Sequence, residues 1–332
     1  MRCRRKSVRF TAADMMTARR IGVLFLSLIV PTAASAENWT TTLVSENDAY
    51  FNIGDRHYTN GIYLSLTTPP RGGDEGSDRR YSFFLGQSIF TPEDLTLVSP
   101  DPNDRPYAGW LYAGVRMYRE RPTVLDRFDI TLGVVGPSSG AEEVQVWFHS
   151  MGMFGGSVRP MGWGSQLHDE PALVLNAQRT WRLTLAEGGF LAGELLPEAN
   201  VALGNVFTYA GVGATLRVGR NLRADWGAPR IQPALQGSDF TDRDAAGSFA
   251  WYIYAGVEGR AIARNIFLDG NTWKDSARVS REAFVADYNL GAAVIAGPFA
   301  VRLSYTERTH EFDTQRGNDK FGSLNLSLLL GR

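Results

Sequence analysis

The feature that most constrains the fold of this chain is a period of two in its apolar residues. In residues 251–258, Ile253 and Val257 lie on one face, and the residues that alternate with them lie on the other. The segments 299–305 and 323–328 alternate in the same way. Such alternation predicts β-strands whose two faces meet different environments. The chain contains no apolar run of the roughly 18 residues that a membrane-spanning helix needs, which excludes a helical membrane protein.

Applied along the whole chain, the pattern predicts twelve strands, near 38–46, 58–68, 80–90, 108–118, 127–135, 171–182, 193–203, 209–219, 249–262, 282–296, 299–309 and 320–330. Tilted strands of this length cross the ~25 Å apolar band of an outer membrane, and an even strand number with aromatic residues near strand ends is typical of its barrels. We therefore predict an all-β fold, a twelve-stranded antiparallel transmembrane β-barrel of the outer membrane. A large secreted β-sandwich is the alternative, and the end of the chain, 328–332, lacks the terminal aromatic residue that many such barrels carry.

The first 36 residues differ in charge from the rest. They carry seven basic residues and one acidic residue, a charge of +6 (7 − 1), whereas 37–332 carries 27 basic and 34 acidic residues, a charge of −7 (27 − 34). The basic start is followed by the short apolar run 21–30 and by a small-residue site that ends at Ala36. This order is typical of a cleavable secretory signal peptide. We expect 1–36 to be that signal and 37–332 to form the barrel; a buried core helix is the alternative for 21–30.

Cysteine usage agrees with a large framework rather than a small disulfide-rich one. Cleavage after Ala36 would remove Cys3, the only cysteine of the chain. The mature chain could then form no internal disulfide, which excludes a disulfide scaffold.

One segment is predicted to be a helix, and it lies in a connection between strands. Ser138 or Ser139 can cap a helix over 140–150, and Glu142 and Glu143 lie in its first turn, where the helix dipole favours negative charge. A helix inside a barrel loop is more often functional than incidental.

The unusual residues of the chain fall on alternate connections. They flank the connections after strands 1, 3, 5 and 7, and comprise Glu46-Asn-Asp48 with 55–61, then 104–110, then 136–149 with Gly162-Trp163, and Gly204-Asn205. In a barrel with periplasmic termini, these connections all lie on the extracellular rim, where we expect the residues to gather. The long stretch 220–248 follows strand 8 and has no functional interpretation at this level; a mis-paired strand count is one explanation.

Familiar catalytic and metal motifs are missing from the sequence. It contains no G-x-S-x-G elbow, H-E-x-x-H motif, P-loop or EF-hand loop, and the lack of cysteine after residue 36 excludes a Cys/His metal site. His149, on the predicted helix, is a candidate general base. Asn47, Asp48 and Asp55 are oxygen donors of the kind that Ca²⁺ prefers, and a calcium ion beside a His-activated water can polarise an ester carbonyl.

Each candidate has a structural alternative. Asn47-Asp48 is a common turn former, and loop histidines are usually incidental, which is how we interpret His57, His168 and His310. The stretch 104–107 can be an ion-paired loop packed with aromatic residues. The basic residues after the signal are 25 Arg with Lys274 and Lys320; Arg suits phosphate contacts, although at strand ends it is usually an anchor.

Taken together, these motifs resemble the outer-membrane lipid A 3-O-deacylase family. The resemblance rests on Glu46-Asn-Asp48, 55–61, 103–109, 136–140 followed by Val144-Gln145 and His149, Gly162-Trp163 with Gln166, and 204–207, in that order over nearly the whole mature chain. It implies a site at the outer rim between the barrel wall and a short helix. It also implies calcium-dependent hydrolysis of the 3-linked acyloxyacyl ester of lipid A, with His149 as base, Asp48 and Asn47 at the calcium site and Thr59 as an active-site hydroxyl.

Two departures from that family pattern concern the site. The connection 91–107 contains no Lys where the family has one that assists the oxyanion, and no Glu follows His149 closely; Arg105 is a candidate replacement for the missing cation. The resemblance further implies lipid A or lipopolysaccharide as the substrate, outer-membrane lipids as neighbours, no nucleic-acid partner and a monomer. An outer-membrane phospholipase and a catalytically decayed barrel or passive pore remain as alternatives.

Overall fold

The computed structural model describes residues 38–51, 56–72, 76–150, 158–188 and 190–330. It contains twelve long strands: β1 (Trp39–Asn47), β2 (His57–Thr67), β3 (Asp78–Thr91), β4 (Ala108–Arg121), β5 (Val124–Val135), β6 (Glu170–Trp181), β7 (Ala192–Gly204), β8 (Phe207–Arg220), β9 (Phe249–Asn265), β10 (Phe284–Ala296), β11 (Phe299–Arg308) and β12 (Asp319–Leu330). Two short strand segments, Arg71–Gly72 and Leu183–Ala186, extend the edges of β3 and β7. The signal peptide expected at 1–36 and Asp55 lie outside the described residues.

The long strands close into one antiparallel barrel. Each pairs with its neighbour in sequence, and β1 pairs with β12 from Trp39↔Leu330 to Asn47↔Gly322, which completes the ring. The prediction of twelve barrel strands is thereby confirmed. We call the end where β1 begins and β12 finishes the near end, and the opposite end the far end.

Alternation along the strands separates an apolar outer wall from a polar lumen. On β1, Leu43 is exposed on the outer wall, whereas its neighbours Thr42 and Val44 are fully buried in the lumen. The outer wall carries many other exposed apolar side chains, among them Phe83, Ile130, Leu203, Val212, Ile253, Leu290 and Leu303. The period of two in the sequence therefore records which face of each strand points outward.

The stretch 220–248, which had no sequence interpretation, fills the lumen. It enters from the near end and contains the 3₁₀ turn Leu222–Ala224 and the short helix Arg243–Ala246. Its Asp225 pairs with Arg217 of β8 at 2.5 Å and with Arg302 of β11 at 2.6 Å. A second carboxylate, Asp239, pairs with Arg116 of β4 at 2.6 Å. We call 220–248 the plug; it is a lumenal element and not a pair of extra strands.

Connections at the far end close the lumen on that side. Buried Arg105, after β3, pairs with Glu311, after β11, at 3.1 Å. The hydroxyl of Thr314 also donates to the carbonyl of Asn103, which joins the same two connections.

The helices are short. We label α1 (Ala141–Ser150), in the connection between β5 and β6, α2 (Arg243–Ala246), in the plug, and α3 (Ile266–Asp269), after β9. In the described part of the chain, no helix is long and apolar enough to cross a membrane. The helix predicted over 140–150 is therefore present, one residue shorter.

Candidate functional site

A polar patch lies on the outer wall at the far end of β1, β2 and β3. Asn47 and Asn60 face each other across the β1–β2 pair, and both are buried although their strand positions point outward. Thr59 and Thr91 join them, with 2.7 Å between their hydroxyl oxygens. Polar side chains that point outward and are nevertheless shielded from solvent must be covered by neighbouring parts of the chain.

A β-bulge places Thr59 in this patch. The register between β2 and β3 shifts between Tyr58 and Asn60, so that Thr59 is the extra residue of the bulge. Tyr58 turns into the lumen, where it contacts Glu46, while Thr59 turns outward to Thr91. Bulges re-aim side chains in this way and are frequent next to functional sites.

Asn47 and Asp48 form a structured turn at the end of β1. The Asn47 Oδ1 accepts the backbone N–H of Ala49 at 2.7 Å, and the Asp48 Oδ2 accepts that of Arg56 at 2.6 Å. Both side chains are more than nine-tenths buried. The interpretation of this pair as a turn former is therefore correct. Turn formation does not exclude that the same pair binds an ion.

Helix α1 packs on the outside of the barrel wall beside this patch. Its first residue, Ala141, is buried against Ile89 of β3 in a cluster that includes Leu95, Tyr107 and Trp163. Gly109 of β4 has no side chain at the contact, and a Cβ there would lie 2.2 Å from the Ala141 Cβ. Gln87 of β3 donates to the Ser139 carbonyl at 2.7 Å and ties down the approach to the helix.

The capping prediction for α1 is wrong in detail. The Ser138 hydroxyl donates to Asp169 at 2.8 Å, and the Ser139 hydroxyl donates to the Gly136 carbonyl at 2.6 Å. Both serines belong to or border the 3₁₀ turn Pro137–Ser139, and Gly140 adopts a left-handed conformation with φ 67° before the helix begins. The local turn competes for the serine side chains, as short polar residues often do.

Gln145 and His149 have different surroundings on α1. Gln145 is buried and accepts the indole N–H of Trp163 at 2.8 Å. His149 lies one turn further on and is half-buried, with its Nδ1 at 2.7 Å from the Val158 carbonyl oxygen. Because a carbonyl only accepts, this nitrogen carries the proton, and the lone pair of the neutral ring is on Nε2.

The structure thus brings Asn47, Asp48 and Thr59 together through the β1–β2 pair, and packs the helix that carries His149 on the neighbouring strands. Apolar side chains are exposed on α1 itself, on the connection before β4 and on the connection that follows α1. They are Leu97, Val98, Trp147, Val158 and Met161.

The donor chemistry of this turn suits a hard cation. Asn47 and Asp48 supply oxygen atoms only, as Ca²⁺ prefers. Among the described residues, no group of three or more His, Cys, Asp or Glu side chains is placed to hold a metal ion. A calcium ion here would therefore take the rest of its ligands from backbone carbonyls and water.

Sequence reasoning missed His57, which it treated as incidental. The ring is almost fully buried, with Nδ1 at 2.7 Å from Asp319 and Nε2 at 3.4 Å from Asp104. It stacks edge-on against Phe312 at 5.3 Å between ring centres. The pattern in the sequence held no signal for this, because its partners lie 47 and 262 residues away.

Asp104 and Arg105 belong to the same closure of the far end. Burial raises the pKa of Asp104, but the hydrogen bonds it accepts from His57 and from the Glu93 N–H lower it more, so the net shift is downward. Arg105, the candidate replacement for a cation, is fully buried and pairs with Glu311, so its guanidinium is engaged in the far-end closure. The interpretation of 104–107 as an ion-paired, aromatic-packed loop agrees with the structure, since Tyr107 packs on Trp163 at 4.9 Å.

Gly204-Asn205 stabilises the barrel wall at the far end. Asn205 Oδ1 accepts the Leu173 N–H at 2.9 Å, and its amide group donates to Glu170 at 2.9 Å. These bonds fix the tight β7–β8 turn to β6.

Comparison with known proteins assigns the chain to a family. A family model described as outer membrane protein LpxR matches residues 21–330. The chain belongs to the LpxR family, the lipid A 3-O-deacylase family.

One solved structure supports this assignment at the level of the fold. LpxR from Salmonella typhimurium superposes with a TM-score of 0.73 at 21% identity, covering 87% of this chain and 99% of that one. The beta domain of the Bordetella autotransporter BrkA matches with a TM-score of 0.43 at 10% identity, covering 89% and 98%. No curated protein sequence matches significantly. The LpxR-family chain is thus an outer-membrane β-barrel, as the strand pattern predicted.

Proposed function

We propose that this barrel is an outer-membrane ester hydrolase that removes the 3-O-linked acyloxyacyl group of lipid A, with its far end on the extracellular side. Membership of the LpxR family implies lipid A 3-O-deacylation. The observation that carries the proposal for this chain is the buried polar patch on the outer wall, beside a helix whose His149 carries its proton on Nδ1 and so has its lone pair on Nε2.

The position of the patch suits an amphiphilic substrate. It lies on the lipid-facing side of the wall, and exposed apolar residues around α1 offer a surface to acyl chains. A water-soluble ester would need no such surface. The patch therefore supports a lipid of the outer leaflet as the substrate.

In the proposed reaction, His149 acts as a general base through Nε2. It takes a proton from water while the water oxygen attacks the ester carbonyl. Collapse of the tetrahedral intermediate breaks the bond between the acyl carbon and the sugar oxygen. The imidazolium then returns its proton to that oxygen, so that ester and water give a carboxylic acid and an alcohol.

Asn47 and Thr59 supply the polar contacts beside the reacting carbonyl. The Asn47 Oδ1 is held by the Ala49 N–H, and in the proposed reaction its amide group donates to the oxyanion. The Thr59 hydroxyl, held by Thr91, can orient the substrate. Asp48 and Asn47 would hold the calcium ion, which when bound stabilises negative charge on an ester oxygen.

The packed lumen argues against the passive-pore alternative. The plug fills it from the near end, and Arg105–Glu311 closes the far end. A channel needs a continuous water path, which such packing does not favour.

The test is the mass spectrum of lipid A from cells that express the protein. We expect loss of the acyloxyacyl group with the wild type and with His310→Ala, which replaces an exposed loop histidine. His149→Ala should lower deacylation by about 10²–10⁴-fold, and calcium chelation should lower wild-type activity.

Unchanged deacylation in His149→Ala would exclude this residue as the base. A parallel assay with purified glycerophospholipid tests the phospholipase alternative, and cleavage of that lipid in preference to lipid A would replace the proposed substrate.

A further inference from the structure

Lumenal side chains lie directly behind the polar patch of the proposed site. Each directly precedes a patch residue on its own strand, in the pairs Glu46-Asn47, Tyr58-Thr59 and Phe90-Thr91. Tyr58 connects this lumenal layer, since its hydroxyl donates to Glu46 at 2.9 Å and its ring packs on that of Phe90 at 5.5 Å between centres. Because successive residues of a strand point to opposite faces, a displacement of the lumenal layer displaces the patch on the other side of the same backbone.

The plug reaches this layer through Ile231. Its backbone N–H donates to Glu46 Oε1 at 3.2 Å, while Glu46 Oε2 accepts the Tyr58 hydroxyl. The Ile231 side chain is buried and belongs to the same apolar cluster as Tyr58 and Phe90. Gly61 of β2 leaves the space for this contact, because a Cβ there would clash with the Tyr58 hydroxyl and lie 2.8 Å from Ile231 Cδ1. The plug therefore contacts the layer both by a hydrogen bond and by packing.

Other strands hold this part of the plug in place. Arg230 donates to Asp287 of β10 at 3.1 Å, and the Leu235 N–H donates to Glu258 of β9 at 2.7 Å. All four side chains are more than nine-tenths buried. The plug is therefore supported by strands that do not belong to the proposed site.

The β-ladder alone does not fix the two strand ends that carry the patch. The pairing of β1 stops at Asn47 on both of its sides, and Asp48 already belongs to the 3₁₀ turn that follows. On β2, the bulge at Thr59 interrupts the pairing with β3, and the extra residue of a bulge is left out of the ladder. Side-chain contacts must supply part of the fixation at both points.

We propose that the contact between Ile231 and Glu46 positions the hydrolytic site, so that both are positioning residues for deacylation. This inference rests on the proposed function. The plug supports Glu46, and Glu46 with Tyr58 holds the ends of β1 and β2. Those ends in turn place Asn47 and Thr59 on the outer wall. Because the plug enters from the near end, the contact links the site to the opposite mouth of the barrel.

The first experiment compares the kinetics of lipid A deacylation by full-length protein in detergent micelles. We expect Ile231→Ala to lower kcat about tenfold, within the range that small displacements at a reacting centre cause. The KM should change little, because the apolar surface beside α1 is unaltered. Ile231→Val keeps the N–H and most of the packing, and it should retain most of the activity.

Leu196→Ala is the matched control. Leu196 is a buried lumenal residue of β7 that belongs to an apolar cluster with Trp226 and Phe240 of the plug. Its truncation should lower the melting temperature as Ile231→Ala does and leave kcat unchanged. An equal loss of kcat in the two variants would mean general loosening of the plug and would overturn the positioning role.

Variants of Glu46 test the hydrogen bonds themselves. Glu46→Ala removes both acceptors and should lower kcat about as much as Ile231→Ala. A glutamine can still accept the Ile231 N–H and donate to the Tyr58 oxygen, so Glu46→Gln should retain most of the activity. The double variant Glu46→Ala/Ile231→Ala should be no slower than the slower single variant, since the two residues act through one contact. Equal losses in Glu46→Gln and Glu46→Ala would assign the effect to the carboxylate charge and overturn positioning through these bonds.

Hydrogen exchange of the turn after β1 gives a readout that needs no turnover. The Ala49 N–H is held by Asn47 Oδ1 at 2.7 Å and therefore reports on that side chain. In peptides that cover 47–51, measured by mass spectrometry, we expect about tenfold faster exchange in Ile231→Ala and no change in Leu196→Ala. Unchanged exchange in Ile231→Ala would overturn the coupling even if lipid A is deacylated. Faster exchange in a protein whose wild type leaves lipid A intact would support the coupling and overturn the proposed function.

Discussion

The hydroxyl of Tyr58 donates to the buried carboxylate of Glu46 at 2.9 Å inside the barrel. The other carboxylate oxygen accepts the backbone N–H of Ile231, in the plug, at 3.2 Å. Glu46 directly precedes Asn47, and Tyr58 directly precedes Thr59, whose side chains lie on the outer wall. A lumenal hydrogen bond therefore fixes the two chain segments that form the proposed site on the opposite face.

Removal of that hydroxyl should disturb both stability and activity. In Tyr58→Phe, one oxygen of buried Glu46 loses its donor, which costs about 1–3 kcal/mol of unfolding free energy. Because the β1 and β2 ends become less well fixed, we expect deacylation to fall as well. Thermal unfolding, followed by the shift between folded and unfolded bands on gels, and the lipid A mass spectrum measure the two effects.

Tyr288→Phe is the matched control, because Tyr288 lies exposed on the outer wall. It should leave both properties unchanged. If Tyr58→Phe behaved like Tyr288→Phe, the coupling between lumen and outer wall would be refuted.

The plug should depend on Asp225. This carboxylate pairs with both Arg217 and Arg302, and all three side chains are almost fully buried. Asp225→Ala leaves two buried guanidinium groups with less opposing charge, and breaking such a buried pair costs about 3–5 kcal/mol. We expect a lower melting temperature and a measurable ion conductance in planar bilayers, where the wild type conducts little. A variant as stable and as impermeable as the wild type would show that other contacts hold the plug.

The far-end closure should weaken in acid. Burial raises the pKa of Glu311, but the charges of Arg308 and Arg105 lower it more, and the net shift is downward, as for Asp104. A carboxylate with a lower pKa in the folded protein stabilises it fully above its ordinary value, here 3.8 for Asp and 4.5 for Glu. That contribution is lost as the pH falls through the folded values.

At pH values below about 4, we therefore expect the melting temperature to decrease. The decrease should be less steep in Asp104→Asn, which has no charge to lose at that position. His57 lies against Asp104 at 3.4 Å and Arg105 pairs with Glu311 at 3.1 Å, so these two basic groups face the carboxylates that lose their charge. The control is Asp313→Asn, at an exposed position on the β11–β12 connection. A pH profile of Asp104→Asn that overlays the wild type would contradict this role.

How much of the fold could be predicted from the sequence depends on how far apart along the chain the interacting residues lie. Strand number and facing were predictable because alternation is local to each strand, as at Ile253 and Val257. The plug was not, because Asp225 and Asp239 meet their partners only after the barrel has closed. The same holds for His57, whose two carboxylates come from remote connections.

Within the candidate site, the sequence predicted that the site residues gather at one end of the barrel. Strand parity placed Asn47, Asp48 and Thr59 at the same end as α1, and the structure does the same. The outward direction of Thr59 was not predictable, since it depends on a bulge that shifts the β2–β3 register by one residue.

The last prediction concerns Gly109, the position where α1 meets the wall. A Cβ at this residue would lie 2.2 Å from the Ala141 Cβ and 2.2 Å from the Ser139 hydroxyl, closer than packed atoms allow. In Gly109→Ala the start of the helix must move away from β4, and His149 moves with it. We expect a loss of deacylation of about tenfold or more, since small displacements at a reacting centre cost up to about 10²-fold, with the barrel still folded.

Two further variants separate helix displacement from a general defect. Gly164→Ala alters a glycine near α1 with no atom within 4 Å of its added Cβ, so it should retain full activity. Ala141→Gly removes the opposing methyl group, and the double variant Gly109→Ala/Ala141→Gly should recover part of the lost activity. Non-additivity of this kind is expected for side chains in direct contact; strictly additive effects would mean that Gly109 acts on the strand and not through the helix.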